Sequence, residues 1–208
     1  MLRETLVVID FETTGLSPDS GDRITEVAAV RVDGEKIVDR YESLVNCGVK
    51  VPPFITAYTG ITQRMVDMAP PVVKVLRELR AFVGRVPVVA HNASFDQRFY
   101  CSECEHVGEP NDGESFICSM RVSRRVYPDL KSHALGALAR QLDISYRGAA
   151  HRAAADAEVT ANLMISIARE LQARYSRLSI DARVLRQLMR TPIAGAAARL
   201  AGMCGDRA

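Results

Sequence analysis

The chain is predicted to be an α/β protein built on a mixed sheet, because three strand-like segments come first in succession and strand and helix patterns alternate afterwards. With 208 residues, 48% of them hydrophobic and 25% charged, one main domain with a substantial core is expected without disulfides or a structural metal. Apolar runs such as Val86 to Ala90 are too short to cross a bilayer, and the first residues lack the basic-then-apolar run of a secretory signal. A cytoplasmic protein that does not engage membranes is therefore expected. Five cysteines at irregular spacings read as free thiols of a reducing compartment. Cys101 and Cys104 form a CxxC with His106 close behind, but no second pair completes a zinc ligand set and the segment reads as helical.

Glu4 to Phe11 is an apolar, β-branched run, and Arg23 to Val32 and Lys36 to Val45 follow with Asp33-Gly34 between them as a hairpin signal. Three leading antiparallel strands are expected. Val72 to Val83 repeats apolar residues at Val72, Val73, Val75, Leu76, Leu79, Phe82 and Val83, which predicts a helix ending at Gly84. A buried strand is expected over Pro87 to His91, then helix through Glu105, a short strand around Ser115 to Ser119, and helices over His133 to Asp143 and about Ala154 to Tyr175. Helices should thus flank the sheet. Beyond Tyr175, Val184, Leu185, Leu188 and Met189 fall on one stripe that ends at Thr191-Pro192, and the Ala/Gly-rich tail reads as frayed.

The expected organisation is a domain over residues 1–175 followed by a basic helical extension over 176–208. From Arg169 onward eight arginines face Glu170, Asp181 and Asp206, so the net charge of +2 divides into +5 there and −3 over residues 1–168. That split fits a carboxylate-lined metal site with a nucleic-acid-facing appendage, and fits an Arg-rich solvated helix equally well. No internal repeat is present, and no low-complexity block beyond the tail.

Three clusters carry the chemistry. The first strand ends Val7-Val8-Ile9-Asp10-Phe11-Glu12-Thr13-Thr14-Gly15, and a period of two puts Asp10 and Glu12 on the same face. Paired carboxylates repel unless a cation neutralises them, and oxygen ligands favour a hard ion such as Mg²⁺ or Mn²⁺. The second cluster, His91-Asn92-Ala93-Ser94-Phe95-Asp96, lies where a buried strand ends and a helix begins; Asn92 or Ser94 is placed to cap that helix, and Asp96 falls in its first turn. The third, His151-Arg152-Ala153-Ala154-Ala155-Asp156, opens the long C-terminal helix. A separation of five keeps His151 and Asp156 off a common helix face, so His151 belongs on the entering loop, with Gly148 nearby as a hinge. Alone, each has an ordinary explanation: charged residues at a strand's solvent end, an acid in a helix's first turn, a surface histidine.

Read together, the clusters resemble the DEDDh 3′-to-5′ exonuclease family, to which the proofreading epsilon subunit of bacterial DNA polymerase III belongs. The resemblance covers about residues 4 to 175: Asp-Phe-Glu-Thr-Thr-Gly looks like the first motif, His-Asn-Ala-Ser-Phe-Asp the second, and His151 with Asp156 the third. Tyr58-Thr59-Gly60-Ile61-Thr62 looks like the Thr-Gly-Ile segment beside the substrate. The resemblance implies a ribonuclease-H-like fold and two metal ions, Mg²⁺ or Mn²⁺, held by Asp10, Glu12, Asp96 and Asp156, with His151 as the base. It also implies substrate contacts at Leu16 and Ile61 against terminal bases and at Phe95, Thr13 and Asn92. Leu16, Ile61 and Phe95 each have a plain core reading as well.

Hydrolysis of a phosphodiester needs an activated water and stabilisation of the departing 3′-oxygen, which two metals supply together. The expected activity is therefore removal of nucleotides from DNA 3′ ends, in proofreading or repair, with a DNA polymerase subunit or sliding clamp as a further expected partner. An RNA 3′-exonuclease of the same family is the rival reading. Asp-Phe-Glu-Thr-Thr-Gly-Leu and Asp156-Ala157-Glu158 look more like the polymerase-associated members than like oligoribonuclease, whose first motif carries Leu and Met around the Glu. A binding module without catalysis should have lost a ligand, and none is lost. Other nucleotide signatures, a GxxxxGK[ST] loop or a GxGxxG after a strand, are missing.

Overall fold

The computed structural model describes residues 1–111, 115–146 and 151–205; Gly148, the expected hinge, and the last residues of the expected frayed end lie outside the described residues. The chain opens with β1 (Leu6–Thr13), β2 (Ile24–Asp33) and β3 (Lys36–Leu44), an antiparallel meander whose second turn places Gly34 at φ +59°. On the far side of β1, β4 (Val88–Ala90) and β5 (Ile117–Cys118) run parallel to it, giving the order β3-β2-β1-β4-β5. This is the mixed sheet that the strand pattern predicts. Leu6, Val7, Val8 and Ile9 are all buried, because β1 is covered on both faces.

Helices α3 (Val72–Val83) and α4 (Ser94–Val107) pack with β1, β2 and β3 on one side. The long α7 (Ala153–Arg174) packs on the other side with α5 (Ser119–Val126) and α6 (Leu135–Gln141). Ala153, Ala157 and Ala161 are fully buried in α7, and such small side chains let its axis come close to β1 and β2. No helix among the described residues is long and apolar enough to cross a membrane. All five cysteines are free thiols.

Two short helices, α1 (Pro53–Thr59) and α2 (Gln63–Asp67), and the helix α5 are additions to the predicted order. Residues beyond Tyr175 complete the same core. Ile180 bridges to Leu2, and Val184, Leu185, Leu188 and Met189 of α8 (Ala182–Arg190) are buried against β5 and α5. Where fraying is expected, Ala196–Gly205 forms α9, whose Ala196 and Leu200 reach that core.

Candidate active site

The parallel register of β1 and β4 sets the site. Val8 lies beside Val89, so the chain leaves β4 at the level of Asp10 and turns through His91 and Asn92 into α4. Asn92 takes the left-handed conformation at φ +60°, which asparagine tolerates better than most side chains. Its carbonyl accepts the Phe95 N–H at 2.9 Å, and no side chain caps α4, so the expected cap by Asn92 or Ser94 is not formed. The turn delivers Asp96 to a buried position, where its Oδ1 accepts the Phe11 N–H at 3.3 Å.

His91 is held between elements, its ring nitrogens meeting the Ser119 hydroxyl at 2.8 Å and the His133 carbonyl at 3.0 Å. Burial pushes its pKa down to about 4, so it stays neutral. Both nitrogens are used, which makes it a fixed part of the cleft wall.

Opposite β4, the start of α7 is fastened by Glu26. This buried residue lies across from Glu12 in the β1–β2 register, accepts Arg152 Nε at 3.1 Å, and accepts the Ala153 N–H at 2.9 Å. Glu26 thereby supplies the N-terminal hydrogen bond that α7 lacks from its own capping residue, Arg152. Asp156 follows in the first turn. His151 stands on the entering loop at φ +63°, its backbone N–H donating to Asp156 Oδ2 at 3.1 Å. The imidazole is exposed and stacks on Tyr58, with ring centroids 4.0 Å apart.

Ligand oxygens of Asp10, Glu12 and Asp156 come within 4.8 Å of one another. All three carboxyls are raised. Burial is the first cause at Asp10, followed by the charges of Asp96, Asp156 and Glu12; burial and then Asp156 and Glu26 push Glu12 up to about 7, against the pull of Arg152. Asp96 is pushed up to about 8, again first by burial, which its backbone N–H donors only partly offset. Burial raises Asp156, while hydrogen bonds from Tyr146 and His151 oppose the shift. A hard divalent cation relieves both the repulsion and the desolvation, so the oxygen donor set fits one.

Asp10 and Asp156 line a cleft of about 1090 Å³, which they share with Tyr58, Asn92, Phe95, Arg140, Tyr146 and His151. Leu16 is 80% exposed and Phe95 half-buried against Phe99. Ile61 corrects the expectation: it is fully buried with Cys47, Val51 and Val66, so its side chain packs a small secondary core and does not face a substrate. Thr13 is also buried, its hydroxyl donating to the Gly15 carbonyl at 2.6 Å. A Cβ at Gly15 would collide with the Asp22 carboxylate, which ties the same turn by accepting the Ser17 N–H at 3.0 Å.

The family model described as Exonuclease, of the RNase T type, matches residues 7–164, and the matched span contains all three clusters. The chain belongs to this exonuclease family. As an exonuclease domain it is 39% identical over 168 residues to the DNA polymerase III PolC-type of Bacillus subtilis (strain 168), covering 80% of this chain but 12% of that protein. It is 33% identical over 172 residues to the 3′-5′ exonuclease DinG of the same organism, covering 83% of this chain and 18% of that one. The exonuclease therefore spans only a small part of these relatives. Among solved structures, Exonuclease X in complex with 5′ overhanging duplex DNA is 31% identical with a TM-score of 0.65, covering 79% of this chain and 91% of that one. The nuclease domain of 3′hExo, a DEDDh family member bound to rAMP, shares the fold at a TM-score of 0.72 and 20% identity, covering 80% of this chain and 92% of that one.

Sequence reasoning missed Glu26, Tyr146 and Arg140. Glu26 meets Arg152 across 126 residues of chain, and no local pattern marks such a pair. Tyr146 precedes the third cluster in a segment without periodicity, so its hydrogen bond to Asp156 had no sequence signal.

Proposed function

We propose that this chain removes nucleotides from the 3′ ends of DNA, with Asp10, Glu12, Asp96 and Asp156 holding two divalent cations and His151 acting as the base. The observation that carries the reading is the convergence of Asp10, Glu12 and Asp156 within 4.8 Å, two of them lining a cleft that also holds the exposed His151. When bound, Mg²⁺ or Mn²⁺ ions supply the positive charge that lowers the pKa of a water and offsets the charge on the departing 3′-oxygen. The chain's own residues do the rest. Asp10 and Glu12 are fixed by the central strand, and Asp156 by the clasp of Glu26 on Arg152 and Ala153.

His151 takes the proton of the attacking water at an imidazole nitrogen. Its backbone bond to Asp156 holds the residue beside that carboxylate, and its ring rests on Tyr58. Leu16 bears on the terminal base from the tip of the turn that Thr13 and Gly15 shape, and Asn92 and Phe95 line the nucleotide's side of the cleft. The named activities of PolC-type DNA polymerase III and DinG, and the DNA bound to Exonuclease X, support DNA as substrate and work beside a polymerase in proofreading or repair.

The test is digestion of 5′-labelled linear single strands, mismatched and matched duplexes, 3′-blocked strands, circular single strands and RNA, with Mg²⁺ or Mn²⁺. Stepwise shortening of DNA from a free 3′ end, fastest at a mismatch, is expected. Internal cuts in circles, or a preference for RNA, would overturn the reading.

A further inference from the structure

Helix α1 leaves both of its rings uncovered. Its aromatic residues, Phe54 and Tyr58, are 66% and 59% exposed, while Thr59 is buried. The inward hydroxyls are satisfied locally: Thr56 donates to the Ile61 carbonyl at 2.9 Å, and Thr59 donates to the Ile55 carbonyl at 2.9 Å and accepts the Ile61 N–H at 3.1 Å. A short helix that turns Ile55 toward the secondary core yet leaves both of its rings in water breaks the pattern that folding favours, and such breaks mark functional surfaces.

The position of the rings indicates the function. A spacing of four puts Phe54 and Tyr58 on one helix face, with Cβ atoms about 5–6 Å apart. Tyr58 lines the same cleft as Asp10 and Asp156 and lies against the His151 ring, and Phe54 continues its surface one turn further along α1. The exposed apolar face of a seven-residue helix is far smaller than the roughly 800 Å² per partner of a stable protein interface. It suits flat groups taken one at a time.

The geometry points to a stacking ladder: Phe54 and Tyr58 receive the unpaired bases that lie immediately 5′ of the nucleotide being removed. The inference rests on the proposed 3′-end reading, which leaves the 5′ side of the strand to run out of the cleft past α1. Aromatic rings stack on every base, so the ladder holds a strand without selecting its sequence, as an enzyme that must pass through any sequence requires.

Phe54 separates this idea from catalysis, because it touches none of the carboxylates' cleft. Phe54→Ala is expected to raise KM for a single-stranded oligonucleotide by about 5- to 100-fold with little change in kcat, and Phe54→Trp to restore it. In the His151→Ala background with Mg²⁺, the Kd of a labelled single strand, read by fluorescence anisotropy, should rise by the same factor. The p-nitrophenyl ester of thymidine 5′-monophosphate has no upstream base, so its hydrolysis should be equal in wild type and Phe54→Ala. An unchanged Kd and KM for the strand in Phe54→Ala would overturn the ladder, even if a protein partner were found to use these rings. Failure of the wild type to hydrolyse either the ester or the strand would instead overturn the nuclease reading itself.

Discussion

Asp10, Glu12 and Asp96 keep protons that exposed carboxyls lose, and this has a measurable consequence at the scale of the residue. Glu12 at about 7 and Asp96 at about 8 lie above the values these groups have in an unfolded chain, so the folded metal-free protein binds more protons than the unfolded one. Their contribution to stability is present in full at acid pH and is lost as pH rises through about 7 to 8. The melting temperature in EDTA should therefore fall between pH 5 and pH 8.5, and Mg²⁺ or Mn²⁺ should restore it most at the alkaline end; a flat profile would count against a strained carboxylate cluster. Asp10→Asn removes one charge from the cluster, and in EDTA at alkaline pH it should melt no lower than wild type while losing cleavage. For His151→Ala, turnover should drop roughly 10²- to 10⁴-fold near neutral pH, the usual worth of a positioned base, with the metal-induced rise in melting temperature retained. Hydroxide replaces a base as pH rises, so the defect should shrink, and a defect constant with pH would exclude that role.

At the scale of the element, the start of α7 depends on a carboxylate from another strand. Glu26→Gln keeps the shape of that clasp but removes the charge facing Arg152, whose side chain is 38% exposed. A loss of about 1–3 kcal/mol is expected, below that of a fully buried pair because water screens the guanidinium. Because the first turn of α7 carries Asp156, kcat should fall more than KM rises, and denaturant unfolding with steady-state kinetics measures both. The elements differ in how far the sequence revealed them. The strands β1 to β3 and the helices α3 and α7 were legible because each shows an unbroken apolar period over several residues. Helix α5 was not, since its buried face alternates Val122 and Val126 with Ser119 and Ser123, and the two serines satisfy their hydroxyls inside the fold. For α1 the obstacle was its outward rings. The carboxylates of the candidate site stood out because Asp10, Glu12, Asp96 and Asp156 sit within short motifs, whereas Ile61 also sits in a short motif and yet packs into a secondary core. Motif membership specifies the backbone path, and burial of each side chain depends on what packs around it, as Cys47, Val51 and Val66 do around Ile61.

For the whole molecule the decisive question is whether residues 176–208 are an appendage or part of the domain. Val184, Leu185, Leu188 and Met189 are each at most 5% exposed, and they cover β5 and α5 in the layer that also holds Cys118 and Val122. Burial of four such side chains is worth roughly 6–12 kcal/mol as an upper estimate, comparable with the roughly 5–15 kcal/mol total stability of an ordinary domain. Truncation after Tyr175 should therefore abolish cooperative unfolding, or lower the melting temperature by tens of degrees, and any loss of DNA binding would follow from unfolding. The arginines of this segment can be tested while the fold stays intact. Arg183 and Arg190 are exposed, and their paired replacement by Gln should leave the melting temperature unchanged. If they engage phosphates, the log-log dependence of DNA affinity on salt should flatten by about 0.7 for each phosphate of a single strand that the variant no longer neutralises. Leu188→Ala, by contrast, should lower stability by about 2–5 kcal/mol with the salt slope intact. A truncated protein that still unfolds cooperatively near the wild-type temperature would show that the core ends at α7 and that α8 merely rests on it.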